Sequence, residues 1–403
     1  MSIINKIVRA RYFLKDVPYK SPSRISKFLN RYVKSGYYPN YIKGKTLEEI
    51  RSDKFIRFLI ENYVATHLKN IGTPDSFLPN IERRSLKIAF TINKLIRIGG
   101  TENWLREISK ELHHQNIELM IYTPSQGSIS TELKLNGITV TSQSEDVFKF
   151  KPSYLHLQHS TIPQITNLVN QLSIETPIFN LCHGIGPRIE APYIDPKRQI
   201  LYGGVSLLVR AFISFLTDIK PESIHLIKNF YSTERHFFHK TDTIRKAAII
   251  SSNVSPQQFE DFKKIFKKLS IQLDIYGNNL ANIINDYSQL AHEYDLFLCT
   301  GKTAVDILGI GKPVILLQEN LMGPAVISEN IEFLSSLNFA LTTPLINVSR
   351  SDSKIILHSL KIEIENIRRD DADKRYDHLF RSNSIDVAIK NIINIYSTNS
   401  RNH

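Results

Sequence analysis

The stretch Leu86–Pro124, LKIAFTINKLIRIGGTENWLREISKELHHQNIELMIYTP, decides how the rest of the chain is read. It opens on an apolar run, Leu86 to Ile92, with strand character. A loop carrying Gly99 and Gly100 follows, then an amphipathic helix with Trp104, Leu105, Ile108 and Leu112 on one face. A second strand-like run, Ile117 to Tyr122, closes the segment. Apolar residues three to four positions apart mark the helix, and short continuous apolar runs mark buried strands. The result is a strand–Gly loop–helix–strand unit, the opening of a parallel α/β sheet. Between strand and helix, a residue without Cβ lets a ligand approach the backbone, and helix-start N–H groups attract anions.

The same alternation continues outward. Gly137–Thr141, Tyr154–Gln158 and Pro177–Cys182 read as strands and Ile162–Leu172 as a helix, while Gly203-Gly204-Val205-Ser206 leads into a strongly apolar helix. A second block follows: strands at Lys246–Ser251, Gln272–Tyr276 (ending at Gly277), Asp295–Cys299 and Pro313–Leu317, with helices at Pro256–Leu269 and Thr303–Leu308. Ser384–Tyr396 reads as a final helix. Two successive alternating blocks predict two Rossmann-like domains facing a cleft. The boundaries are 86–225 for an acceptor-side domain, 226–380 for a donor domain and 381–403 for a terminal helix packing back on the first domain, after an extension of residues 1–85.

Charge separates that extension from the body. Met1–Ser85 carries 17 Lys/Arg against 7 Asp/Glu, nearly all of the chain's net +12. It is Tyr-rich, with helical patterns at Ser23–Lys34 and Thr46–Lys69 and a linker at Ile71–Arg84. A near-neutral body argues against a surface devoted to nucleic acid. The extension fits solvated helices packed on the body, or an anionic membrane surface, to which each nearby Lys or Arg contributes about 1 kcal/mol. Nucleic acid is disfavoured, since no recognised binding motif accompanies the charge. The longest apolar run, Val205–Leu216, contains Arg210 and is too short to span a bilayer. Lys6, Arg9, Arg11 and Lys15 interrupt any secretory signal. The two cysteines, Cys182 and Cys299, lie apart without metal-ligand spacing and read as reduced core thiols, which suits a cytoplasmic protein.

The segment Asp295–Leu317, DLFLCTGKTAVDILGIGKPVILL, concentrates the chemistry. Gly301 frees the loop, Thr303 starts a helix with outward N–H groups, and Lys302 adds a mobile positive charge, an arrangement suited to a diphosphate. Together with Gly99-Gly100-Thr101-Glu102, this segment resembles GT-B glycosyltransferases of the family 4 kind, in which a strand leads to Gly-Arg/Lys-Thr-Ala, an acidic residue and then Gly-Lys/Arg-Pro-Val-Ile. The matching residues are Gly301, Lys302, Thr303, Ala304, Asp306, Gly311, Lys312, Pro313, Val314 and Ile315. Gly323–Phe339 extends the resemblance with Ser328-Glu329-Asn330 and Asn338-Phe339, in place of a Gly-rich loop, a Ser-Glu-Asn turn and an Asn-Phe pair.

The resemblance implies a nucleotide-sugar donor, UDP- or GDP-linked, with its diphosphate at Gly301, Lys302 and Thr303 and its ribose at Asp306. Alternatively, Thr303-x-x-Asp306 is a structural capping box, and Ser328 a helix cap. Gly99, Gly100 and Thr101 would close over the donor, with Asn253 and Gly277 at further strand ends of the donor domain. His183, after a buried strand and before Gly184-Ile185-Gly186, matches the family's catalytic His near the anomeric centre; a tight-turn structural role is the alternative. His156 and His159 are weaker candidates, structural or acceptor-side. Two departures stand out. Ser251-Ser252-Asn253-Val254-Ser255 replaces the family's Arg and Lys phosphate grip, and Leu298 stands eight positions before Asp306 where an acid is usual. No metal or other cofactor is expected; the run Arg369-Asp370-Asp371-Ala372-Asp373 contains Asp371-x-Asp373 but reads as a charged, solvated helix region. The expected activity is sugar transfer to a glycan or lipid-linked glycan acceptor in bacterial surface polysaccharide synthesis. A non-catalytic GT-B-like scaffold subunit and a nucleotide-sugar epimerase share the architecture and remain alternatives.

Overall fold

The computed structural model describes residues 86–97, 99–184, 188–232, 243–251, 254–277, 287–318, 321–340, 346–347 and 352–399. The predicted helices and linker of residues 1–85, and the donor-site candidate Asn253, lie outside these residues. The chain divides into two compact units. The first runs to Ile227 and takes in the chain from Ile389 onward; the second is Lys228–Ala388.

The first unit follows the order β1 (Lys87–Thr91), β2 (Lys94–Leu95), α1 (Gly100–His114), β3 (Glu118–Tyr122), β4 (Ser125–Gln126), α2 (Ser128–Leu135), β5 (Thr139–Thr141), α3 (Ser144–Phe150), β6 (Tyr154–Leu157), α4 (Pro163–Gln171), β7 (Ile178–Cys182), β8 (Ile200–Gly204), α5 (Leu207–Thr217) and β9 (His225–Leu226). Seven of these strands form one parallel sheet in the order β5-β3-β1-β6-β7-β8-β9. Ladder residues such as Ile88, Ala89, Leu155 and Phe179 are fully buried, as strands covered on both faces require. The α1 stripe read from sequence is real: Trp104, Leu105, Ile108 and Leu112 are all fully buried. Burying one such side chain contributes about 1.5–3 kcal/mol. The helix ends where Asn116 turns left-handed (φ 60°).

Sequence periodicity missed several elements here, among them the two-residue strands β2, β4 and β9. Helices α2 and α3 are short and carry few buried residues. Gly203-Gly204, read as a lead-in turn, ends strand β8, pairing with Leu181 and Cys182. Position 203 excludes any side chain, because a Cβ there would lie 2.5 Å from the Phe179 ring.

The second unit contains β10 (Lys246–Ile250), α6 (Pro256–Lys267), β11 (Gln272–Tyr276), α7 (Tyr287–Glu293), β12 (Leu296–Cys299), α8 (Gly301–Gly309), β13 (Val314–Gln318), β14 (Leu321–Ala325), α9 (Ile331–Ser336), β15 (Ile346–Asn347), α10 (Ser353–Arg369) and α11 (Ala372–Asn383). Its sheet runs β11-β10-β12-β13-β14-β15, parallel through β13 and antiparallel at β14 and β15. Helix α6 begins with a capping box, Ser255 with Gln258, and Pro256 at its first position. Its inner residues Phe262, Ile265 and Phe266 join a core with Ile249, Leu298 and Ile315, while Phe259 and Leu269 pack at its margin. The last helix, α12 (Ile385–Asn399), starts in the second unit and ends in the first. There the Tyr154 hydroxyl donates to the Tyr396 carbonyl (2.6 Å), and the Tyr396 hydroxyl meets His156 Nδ1 at 2.5 Å.

Several local expectations are corrected. Gly323 lies in strand β14, where Gly-Pro was read as a loop; an antiparallel strand near the sheet's edge tolerates it. Ser328 does not cap α9. Asn330 occupies the N-cap, its side chain joining the Ile327 N–H to the Ala325 carbonyl, while the Ser328 N–H donates to Asp370. Asp370, expected in a solvated run, is buried and paired with buried Arg375; Asp371 caps α11. Both cysteines are buried free thiols, pushed to high pKa by burial. Among the described residues, no helix is long and apolar enough to cross a membrane.

Candidate functional site

In open parallel sheets, ligands bind beyond the carboxyl ends of strands where the strand order reverses. The first sheet reverses between β1 and β6, and the second between β10 and β12. Of the residues singled out from the sequence, Gly301, Lys302, Thr303 and Asp306 follow β12 at the second place, and Gly99, Gly100 and Thr101 follow β1 at the first; Gly277 and His156 lie at neither, and Asn253 is outside the described residues.

In the second unit, the carboxyl end of β12 turns directly into α8. The helix begins at Gly301, two residues earlier than expected, with Thr300 at the N-cap. The Thr300 side chain does not cap the first turn; its hydroxyl donates instead to the Phe339 carbonyl at 2.6 Å. Gly301 is left-handed (φ 61°), and a Cβ there would meet nothing within 4 Å. Its N–H also points to the Phe339 carbonyl, at 3.4 Å. Asn338 and Phe339 are themselves left-handed (φ 59° and 51°), a strained pair that presents this carbonyl. The Asn-Phe motif therefore supports the start of α8.

Lys302 and Asp306 differ from the sequence expectation. Lys302 is not a mobile surface cation. Its ammonium lies 2.5 Å from Asp306 and 5.2 Å from the centre of the Phe230 ring, with both charged side chains about 5% exposed. The capping box does not form, because Thr303 lies inside the helix. The Thr303 hydroxyl lies 3.4 Å from that of Tyr287, whose pKa is raised to about 12, first by burial and then by the charge of Asp306. Gly309 ends α8 against Tyr231, where a Cβ would come within 2.3 Å of the ring, so the helix is seated tightly at its far end. Gly277 lies just beyond β11, on the other side of β10.

In the first unit, Gly99 is the N-cap of α1, and Gly100 and Thr101 open its first turn. Buried Glu102 folds back so that its carboxylate lies over Gly99. His183 follows β7. Its ring packs edge-on to Trp104 at 5.1 Å, and its Nε2 has no hydrogen-bond partner among the described residues. Burial lowers its pKa to about 4; the nearby Glu190 charge opposes this shift and His159 adds to it. The imidazole is therefore neutral at neutral pH, a hydrogen-bonding group rather than a proton store. His156 is a core residue, packed against Phe90 and Phe179 and bonded to Tyr396; burial holds its pKa well below the ordinary value.

His159 is left-handed (φ 54°) and sits across the sheet's switch point. Its Nδ1 accepts from the Asn93 N–H beyond β1 (3.1 Å), which leaves the hydrogen on Nε2, 3.3 Å from Glu190. The other Glu190 oxygen accepts from the His183 main-chain N–H at 2.7 Å. Burial pushes the Glu190 carboxyl up, but its contacts with His159 and His183 outweigh that and leave it below the usual range. Glu190, Tyr287 and Phe230 were not found from the sequence, since none lies in a motif that singles it out; Tyr396 lies on the apolar stripe of the predicted terminal helix, but nothing in the sequence assigns its hydroxyl a partner.

No protein-family model and no curated protein sequence matches the chain. Solved structures do. A glycosyltransferase from Rickettsia africae is 11% identical with a TM-score of 0.56, over 79% of this chain and 99% of its own. The Anabaena protein Alr3699/HepE, solved with UDP-glucose, is 14% identical with a TM-score of 0.54, over 78% of this chain and 100% of its own. The lipopolysaccharide outer core galactosyltransferase WaaB is 12% identical with a TM-score of 0.51, over 78% of this chain and 100% of its own. At such identity the likeness is one of architecture: the chain has the GT-B fold, two Rossmann-like units each with a reversed strand order.

Proposed function

We propose that the protein is a glycosyltransferase that moves a sugar from a nucleotide-diphosphate donor to a hydroxyl of a glycan or lipid-linked glycan, in bacterial surface polysaccharide synthesis. The observation that carries this reading is the start of α8. A left-handed glycine with open space beside it stands at a helix start on the sheet's switch point. Helix-start N–H groups and the positive end of the macrodipole suit a diphosphate there. The proposed donor contacts are Gly301 and Thr303, with Lys302 and Asp306 acting as a pair: the ammonium adds positive potential and the carboxylate holds it in place. His183 is assigned to the sugar, where a neutral imidazole with an unpartnered Nε2 donates or accepts a hydrogen bond as charge develops on the leaving phosphate. Alr3699/HepE was solved with UDP-glucose, and in separate crystals with UDP, which supports a UDP-sugar as the first donor to try.

The test is calorimetric titration of the full chain with UDP, GDP and CDP, repeated on Gly301→Val and Thr303→Ala. Micromolar binding of one nucleotide, weakened by both substitutions and unchanged by a chelator, is the expected result. Absence of binding by the folded wild type to all three would overturn the reading in favour of a non-catalytic scaffold.

A further inference from the structure

The sheet of the first unit carries a buried charged link that the proposed donor site does not use. Glu190 is 6% exposed and lies in a short turn, Arg188–Glu190. That turn is pinned on its far side. The Ala191 carbonyl accepts from the Ser160 hydroxyl at 3.0 Å, and the Tyr193 N–H donates to Asn180 at 2.7 Å. Asn180 itself donates to the Leu157 carbonyl at 3.0 Å, so the turn is tied to both β6 and β7.

From this fixed position, the two oxygens of one carboxylate reach two separate elements. One holds the main chain of His183 as it leaves β7. The other faces His159 beyond β6, and His159 in turn holds the Asn93 N–H beyond β1. The line Asn93–His159–Glu190–His183 thus crosses the carboxyl ends of three strands, β1, β6 and β7, at the place where the sheet order reverses. His159 occupies a left-handed conformation to make it, and a non-glycine residue is held there only when its surroundings compensate for the strain.

We propose that Glu190 is the positioning residue of His183: its buried carboxylate orients the His183 main chain and, through His159, registers that histidine against the loop beyond β1. The proposal rests on the glycosyltransferase reading, in which His183 meets the sugar. The groups facing the His183 ring are Trp104 from α1, His156 from β6, and Glu190 and His159 from the loops. Of these, Glu190 alone is acidic, so its charge and its geometry can be separated by substitution.

The experiment uses the full chain as wild type, Glu190→Gln, Glu190→Asp and His159→Gln. Three readouts are taken: UDP affinity by calorimetry, steady-state hydrolysis of UDP-glucose without acceptor, and the ring titration of His183 by NMR. In Glu190→Gln, UDP affinity is expected to stay within about twofold, kcat to fall by about tenfold or more with little change in KM, and the His183 ring to titrate at lower pH. His159→Gln is expected to give a smaller fall in kcat in the same direction. If Glu190→Gln does not fold, Glu190→Asp keeps the charge but withdraws the carboxylate by one methylene, and the same loss of kcat at unchanged UDP affinity is expected. Variants with wild-type kcat and an unmoved His183 titration would overturn the proposal. A wild type that neither binds UDP nor hydrolyses the donor would instead overturn the glycosyltransferase reading, while the NMR titration would still decide whether Glu190 governs His183.

Discussion

The ammonium of Lys302 lies 2.5 Å from the carboxylate of Asp306, one helical turn along α8, with both side chains buried. Removing one partner from such a pair leaves an uncompensated buried charge, which costs about 3–5 kcal/mol, whereas replacing both by apolar groups is far cheaper. Lys302→Ala and Asp306→Ala should therefore each lower the urea midpoint strongly, and Lys302→Met with Asp306→Leu should recover most of the loss. Additive losses in the double variant would show that the pair does not behave as one unit.

Gly301 separates folding from binding. Its left-handed φ makes any side chain strained by about 1 kcal/mol, yet the space beside it is open. Gly301→Ala should lose only that much stability. Gly301→Val, which fills the space, should reduce nucleotide affinity at least tenfold by calorimetry. Unchanged affinity in Gly301→Val would place the diphosphate elsewhere.

His183 makes stability depend on pH in a defined direction. Above about pH 6.5 neither folded nor unfolded chain protonates it, so it has no effect. Between about 6.5 and 4 the unfolded chain takes up a proton that the folded chain refuses, and stability falls as pH falls. The loss approaches about 3 kcal/mol near pH 4 and levels off below. His156, also held low by burial, acts in the same sense. Urea midpoints measured from pH 8 to pH 4 should fall more steeply for the wild type than for His183→Asn.

Tyr396 anchors α12 through its hydroxyl, which meets buried His156 Nδ1 at 2.5 Å. Tyr396→Phe leaves that nitrogen without its partner and should cost about 1–3 kcal/mol in chemical unfolding. A loss below about 0.5 kcal/mol would mean that another group satisfies His156.

The parallel sheets were legible because their strands are buried on both faces and read as unbroken apolar runs, as at Ile178–Cys182 and Leu296–Cys299. The helices α1 and α6 were legible for a different reason: their apolar residues recur every three to four positions along one buried face. Strands β8 and β14 were not, since the glycines and proline that read as turns are placed there by close neighbours and by position in the sheet. At the site, Gly301 was found because a loop glycine before an apolar helix has a local cause. Glu190 was not, because nothing local marks a carboxylate whose partners are seven and thirty-one residues away in sequence.

What the sequence determined by itself was the alternation of buried strands and amphipathic helices, and hence two α/β blocks with glycines at the strand ends. Those depend on burial and backbone freedom, which each residue carries with it. Only the tertiary structure decided which charges meet. It turned Lys302 inward onto Asp306, gave the Phe339 carbonyl to Thr300 and Gly301, and closed the line from Asn93 through His159 and Glu190 to His183. Electrostatic partners are chosen by distance in space, and a parallel sheet brings the ends of strands together from residues far apart along the chain.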